Sequence, residues 1–473
     1  MPPTANHPYI PNTDSDRAQM LRAIGVDRFE ELVRDIPGQH RFPKLELPES
    51  EPEMVVVSEM AAMARQNVTP GDPSTGSGQR YACFLGAGAY RHYIPAVCKA
   101  LASRGELMTA YTPYQPEAAQ GTLQVAFEFQ TMWCLLSGME VANAGMYDGP
   151  TAFAEAALMA CRLTQRQTVA VLDTVDERSV EVIRSYSSHK GVKIKAVDSV
   201  RPAVPEDAAC LMVQSPNVYG VIEDLAAYSR TAHAGGALSV AHVNPTSLGM
   251  FKTPGECDVD ICTAEGQPLG VPLSYGGSYA GLFACKQAHI RQMPGRIVGR
   301  TTDTKGRAGY VLTLQTREQH IRRERATSNI CTSTQLIGLM VTLYVAALGK
   351  AGVRHVAELC YQKAHYAASE IAKLPGYSLP VKGTFFHEFV VKCPKPVAEV
   401  NRELLRRGII GGYDLSSSPL PRSSNSPLPA GEGEGEGHAN RRIPNAMLLC
   451  VTEMNTKQEI DALVAALRDI GAK

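Results

Sequence analysis

The sequence predicts an α/β protein: a mostly parallel, doubly wound sheet followed by a smaller α+β domain. Between residues 168 and 285, short apolar strand candidates alternate with helical stretches. Strands spaced by crossover helices lie parallel in one sheet with both faces covered. Past residue 320 the chain turns helical and then returns to two strand-like segments. A length of 473 residues allows two to four domains and a large core.

Taken in order, residues 13–36 read as two short helices. The first starts at Thr13, with Asp16 at capping-box spacing, and stops near Gly25; the second is capped by Asp27 with Glu30 at the same offset and runs to Pro37. Leu21, Ile24, Phe29, Leu32, Val33 and Ile36 would pack this arm on something larger. Residues 68–79 have a linker composition. Helices follow over 117–136, with Leu123, Phe127 and Leu135 among the apolar positions, and over 151–163. Strand candidates are 168–174, 192–197, 209–214, 238–243, 259–263 and 281–285, with helices near 177–188 and 221–234. Two helices over 333–348 and 353–374 precede strands at 385–392 and 447–451. Residues 416–442 hold 17 Ser, Gly, Pro or Glu among 27 and a twofold SPLP repeat. Such a stretch buries too little apolar surface to offset its ordering entropy and is expected to be a disordered insertion. The expected organisation is a helical arm over 1–67, a large domain over 80–325 and a small domain over 326–473.

Composition excludes several function classes. Lys+Arg and Asp+Glu each count 47, so the chain lacks the basic excess of a general nucleic-acid binder. Twelve cysteines are scattered from Cys83 to Cys450 without a CxxC pair, which reads as reduced thiols rather than a zinc or disulfide framework. The start has no charged segment followed by an apolar run, and the longest apolar stretch, Leu336 to Leu348, is too short to span a bilayer. A cytoplasmic protein with no membrane and no nucleic-acid partner is expected.

Short motifs decide little by themselves. Gly86-Ala87-Gly88 follows an apolar run but lacks the third glycine of a dinucleotide fingerprint, and reads as a tight turn. His387-Glu388 has no second histidine at metalloprotease spacing, and Gly277-Ser278-Tyr279 lacks the glycines of a nucleophile elbow. Asp148-Gly149-Pro150-Thr151 opens the 151–163 helix: a well-capped start, or an anion cradle built on free N–H groups and the helix dipole. Tyr111-Thr112-Pro113-Tyr114-Gln115-Pro116 is a polar loop stiffened by prolines, which either lines a cleft or forms a surface turn.

Longer segments carry a family. FLGAGAYRHYIPAV (84–97), YTPYQPEAAQGTLQ (111–124), ANAGMYDGPTAFAEA (142–156), VQSPNVYGVIED (213–224), EGQPLGVPLSYGG (265–277), MPGRIVGRT (293–301), QTREQHIRRERATSNICT (315–332) and NAMLLCVTE (445–453) together resemble the glycine cleavage system P protein, in its N-terminal half or subunit 1. The resemblance spans nearly the whole chain apart from 68–79 and 416–442. It implies the pyridoxal-phosphate-dependent aminotransferase-like fold, with a large domain and a smaller C-terminal α+β domain. It implies decarboxylation of glycine and transfer of the aminomethyl group to the lipoyl group of H protein. Pro150 and Arg91 depart from the family pattern, which usually has alanine and a small acidic or amide residue there.

The resemblance also implies what is missing. Subunit 2 of the family carries its Schiff-base lysine in a His-Lys-Thr segment; the equivalent here is Gly266-Gln267-Pro268, so Gln267 marks a lost lysine. The aspartate that pairs with the pyridine nitrogen falls on Ala241. An amide forms no imine and a methyl holds no ring proton, so no catalytic or cofactor-binding residue is expected in this chain, and pyridoxal phosphate is expected on a lysine-bearing partner, subunit 2. Lys286 reads as a surface residue. Loops of one chain commonly complete the other's pocket in this fold, and Tyr111, Tyr114, Gln115, Arg322 and Arg323 are the candidates for lining the partner's active site. Alternatives are a scaffold that only stabilises subunit 2, or a stand-alone pyridoxal-phosphate decarboxylase using another lysine.

Overall fold

The computed structural model describes residues 11–44, 46–48, 50–67, 81–108, 112–327, 330–331, 333–416 and 443–472. The linker-like segment, Tyr111 and all but Ser416 of the Ser/Gly/Pro-rich insertion lie outside the described residues. The chain forms two compact units, Met1–Val68 and Thr69–Lys473.

In the first unit, α1 (Asp14–Ile24) has the expected capping box between Thr13 and Asp16 and ends on Gly25 in the left-handed conformation. The second predicted helix is only the single turn α2 (Phe29–Leu32), whose N-cap is Arg28 rather than Asp27 and makes no side-chain cap. Without that cap the first orphan N–H groups have no local acceptor, and the turn does not extend. A third helix, α3 (Glu53–Ala64), was not anticipated, and none of the residues of α1, α2 or α3 is buried.

The second unit opens with β1 (Ala82–Cys83), α4 (Ala96–Ala102), α5 (Gly105–Met108), α6 (Gln120–Ser137), β2 (Val141–Ala142) and α7 (Gly149–Thr164). The α/β run follows: β3 (Thr168–Leu172), α8 (Glu177–Ser187), β4 (Lys193–Val197), β5 (Ala208–Ser215), α9 (Leu225–Ala234), β6 (Leu238–Val243), β7 (Ile261–Glu265) and β8 (Gly281–Cys285). These strands form a seven-stranded sheet of order β2-β8-β7-β6-β5-β3-β4. Every pairing from β7 to β4 is parallel, as expected; β8 runs antiparallel to both neighbours. Its five residues are all buried, so no alternation in the sequence marks its direction.

The core lies where α7 crosses the sheet. Eleven residues of this helix are buried, and Phe153, Met159, Val171, Leu211 and Phe283 are sealed from solvent within one cluster. Each such side chain contributes about 1.5–3 kcal/mol on burial. A polar hairpin, β9 (Ile297–Thr302) and β10 (Ala308–Thr313), and the turn α10 (Gln319–Arg322) then lead to α11 (Gln335–Ile371). The two predicted helices are present as the two arms of α11, which meet at a kink where Gly349, with φ 59°, leaves helical geometry. By length and composition α11 is apolar enough to cross a membrane. Val341, Tyr344 and Val345 instead pack into the first core, and Ala364, Ala367 and Ile371 into a second.

That second core is closed by β11 (Glu388–Lys392), α12 (Val397–Arg406), β12 (Ile409–Ile410), β13 (Tyr413–Asp414), β14 (Ala446–Cys450) and α13 (Lys457–Ala472). Strands β11-β14-β13 form an antiparallel sheet, and β12 pairs in parallel with β1, which ties the start of the unit to its end. All twelve cysteines are free, nine of them buried.

Candidate functional site

Parallel strands of a doubly wound sheet present their C-terminal ends to the ligand crevice. Here the ends of β6 and β7 lie beside the N-terminus of α7. Asp148 is the N-cap: its carboxylate accepts from Thr151 N at 2.8 Å, and the Thr151 hydroxyl accepts from Asp148 N at 3.2 Å. Glu265, the last residue of β7, accepts from Gly149 N at 2.8 Å through Oε2 and from Gln267 N at 2.9 Å through Oε1. The approach is close enough to require glycine, because a Cβ on Gly149 would stand 2.8 Å from Glu265 Cβ. Loss of water around the Glu265 carboxyl, with the Asp148 charge nearby, pushes it up to about 7 against the pull of its N–H donors.

Gln267 is buried with its amide fully used. Nε2 donates to Tyr90 O at 2.8 Å and Val271 O at 2.9 Å, while Oε1 accepts from Tyr90 N at 2.8 Å. The side chain fastens the 86–90 turn to the 267–271 loop. That turn in turn cradles Glu388: Ala87 N and the Tyr90 hydroxyl donate to its two oxygens at 2.6 and 2.8 Å. Burial pushes Glu388 up to about 6. His387 beside it, 4.5 Å from the Tyr90 ring, is driven well below its ordinary value by burial and is neutral.

On β6, Ala241 points into the core and is 1% exposed. Side chains alternate along a strand, so His242 occupies the opposite face. Its ring lies 5.1 Å from that of Phe153, one turn into α7, and its Nδ1 is 2.9 Å from the Thr263 hydroxyl. Desolvation pushes His242 down to about 4. The face that looks toward the start of α7 therefore carries His242. Lys286 stands at the other end of β8, where its Nζ is 2.6 Å from Asp258 and 2.7 Å from Asp260; it is an ion-paired, half-buried residue rather than a bare surface one.

The 143–148 segment connects this region to a second polar cluster: Asn143 donates to Pro294 O at 2.9 Å, and Met146 N to Gly281 O at 2.9 Å. Just beyond Pro294, the buried Arg296 donates to the Tyr114 hydroxyl at 3.0 Å and to Cys331 O at 2.6 Å, and its Nε lies 3.4 Å from Glu318 Oε2. Its guanidinium carbon is 5.4 Å from the Tyr114 ring centre. His320 contacts the same ring edge-on at 5.5 Å. Of the predicted lining residues, Tyr114 thus meets the 315–325 segment, while among the described residues Gln115 and the exposed Arg322 and Arg323 make no comparable cluster; Arg322 Nε donates to Thr316 O at 3.0 Å. Arg296 and Glu318 were missed by sequence reasoning. The available signal was the position of Arg296 between Pro294-Gly295 and the apolar Ile297-Val298.

The glycine cleavage system P-protein family model matches residues 7–424. The chain belongs to the glycine cleavage system P-protein family. It is 46% identical over 475 residues to a probable glycine dehydrogenase (decarboxylating) subunit 1 of Thermomicrobium roseum, covering 98% of this chain and 100% of the relative. The same description applies to a Desulforamulus reducens protein 46% identical over 469 residues, covering 97% of this chain and 99% of the relative. Among solved structures, an inhibitor-bound glycine decarboxylase (P-protein) superposes with a TM-score of 0.84 at 39% identity, covering 98% of this chain and 100% of that one. A glutamate decarboxylase of Lactobacillus brevis, at 13% identity, TM-score 0.61 and coverage of 94% and 96%, shares the fold. The α/β fold is that of pyridoxal-phosphate-dependent aminotransferase-like enzymes, as the sequence resemblance implied.

Proposed function

We propose that this chain is subunit 1 of a two-chain glycine dehydrogenase (decarboxylating), and that it acts only with a lysine-bearing subunit 2. In this reading the partner holds pyridoxal phosphate, which supplies the electron sink for loss of the glycine carboxylate. The lipoyl group of H protein then takes the aminomethyl group. Residues 80–325 would serve as the large domain, 326–473 as the small one and 1–67 as an arm.

The observation that carries this reading is Gln267. The position equivalent to the partner's lysine holds a carboxamide whose donors and acceptor are all bound to backbone, so it has neither an amine nor a free polar atom to offer a cofactor. The residues around it do not fit pyridoxal phosphate. The lost pyridine-aspartate position, Ala241, offers only a buried methyl, and its neighbour His242 on the face of β6 beside α7 has its ring kept neutral and engaged with Thr263. What the chain can contribute is surface: Tyr114, held by Arg296, with Gln115 beside it in sequence, and the segment carrying Arg322 and Arg323.

Incubation of the purified chain with pyridoxal phosphate followed by borohydride is expected to give no pyridoxyl adduct by mass spectrometry. A stoichiometric adduct on one lysine would overturn the reading in favour of a stand-alone enzyme.

A further inference from the structure

The first N–H groups of a helix are free to receive an anion, and a 16-residue helix such as α7 presents them together with its dipole. In this chain each of them is spent. Gly149 N donates to Glu265, Pro150 has no N–H, Thr151 N donates to Asp148, and Ala152 N donates to Asp148 O at 3.0 Å. The carboxylate that fills the outermost position arrives from a different element, the end of β7, and is fixed there by Gln267 N. Two carboxylates and one proline therefore occupy a place that short capping residues alone would leave open to an external anion.

We propose that the Glu265 carboxyl is the resident acceptor of this helix N-terminus, and that the site is closed to a phosphate group by occupation, with Asp148 and Pro150 completing the closure. The inference rests on the functional reading above and deepens it. The pocket has then not only lost its lysine; it has acquired an internal substitute for the phosphate. Removing the three obstacles reopens an anion site on the same backbone.

The test compares the wild-type chain with the triple variant Asp148→Ser, Pro150→Ala, Glu265→Ala, in which serine retains the cap. Inorganic phosphate is the probe, read by 31P line broadening and by the shift in melting temperature against chloride at equal ionic strength. The variant is expected to bind phosphate at least tenfold more tightly than the wild type. A folded variant that ignores phosphate, or a wild-type chain that binds it equally well, overturns the proposal. Neither result touches the borohydride experiment, whose failure would instead sink the functional reading.

Should the triple variant not fold, Glu265→Gln supplies the second measurement. The charged or titratable groups facing Glu265 are Asp148 at the cap of α7 and Tyr279 in the segment before β8. A carboxyl raised to about 7 keeps, in the native state, a proton that the unfolded chain has already released above its ordinary value of 4.5. Stability contributed by this group therefore falls as pH rises from about 4.5 to 7 and levels off above. Glu265→Gln keeps an amide oxygen over Gly149 N, so it is expected to remove that fall while still excluding phosphate; a Glu265→Gln chain that binds phosphate tenfold more tightly than the wild type overturns the proposal.

Discussion

Replacing Arg296 by alanine is expected to destabilise the folded chain by about 3–5 kcal/mol, the usual consequence of removing one partner of a buried ion pair. Glu318, only 10% exposed, would lose its arginine and keep His320 at 3.7 Å, Cys331 O would lose a charge-assisted donor, and the Tyr114 ring would lose the guanidinium that braces it. Arg296→Lys keeps the charge but has one ammonium where three separate contacts need a planar fork, so an intermediate loss is expected. Denaturation midpoints of the three proteins in urea, at constant slope, check both values. An alanine variant as stable as the wild type would show that the cluster contributes nothing.

The second expected result concerns turnover. In the assembled two-chain enzyme, Tyr114→Phe combined with Gln115→Ala should leave assembly intact and lower glycine decarboxylation at least tenfold, about 1.4 kcal/mol of transition-state free energy. Tyr114 is half exposed, with its hydroxyl held by Arg296, and Gln115 is exposed; both can therefore face a partner without supporting this chain's core. Arg296 keeps Cys331 O and Glu318 when the phenol hydroxyl is removed, so the substitution tests presentation of the loop rather than folding. Unchanged kinetics in the intact assembly would leave the chain as a scaffold.

These expectations draw on features that the sequence showed unevenly. The capping boxes of α1 and α7 were readable because they are local: Thr13 with Asp16, and Asp148 with Thr151, act over three residues. The parallel strands were readable for a related reason, since short apolar runs separated by helices have few other solutions. What escaped was set by partners distant in sequence. Arg296 and Tyr114 are 182 residues apart, and an arginine in MPGRIVGRT looks like any surface arginine until the fold buries it. Nothing in EGQPLG says that the Glu265 carboxylate reaches a helix 116 residues earlier. The hairpin β9–β10 carries too many polar residues to announce itself. Gln267 lay between these cases: its identity marked the lost lysine, while the hydrogen bonds that commit its amide required the structure.

This chain is proposed to be one half of a catalyst and to supply no cofactor lysine. The most direct measurement is exchange of the glycine carboxyl carbon with labelled bicarbonate, in the presence of pyridoxal phosphate and lipoylated H protein. It is made for this chain alone, for a lysine-bearing subunit 2 alone and for the mixture. Exchange is expected only in the mixture, rising with added chain to a plateau. Exchange by this chain alone, or by subunit 2 alone at the rate of the mixture, would contradict it.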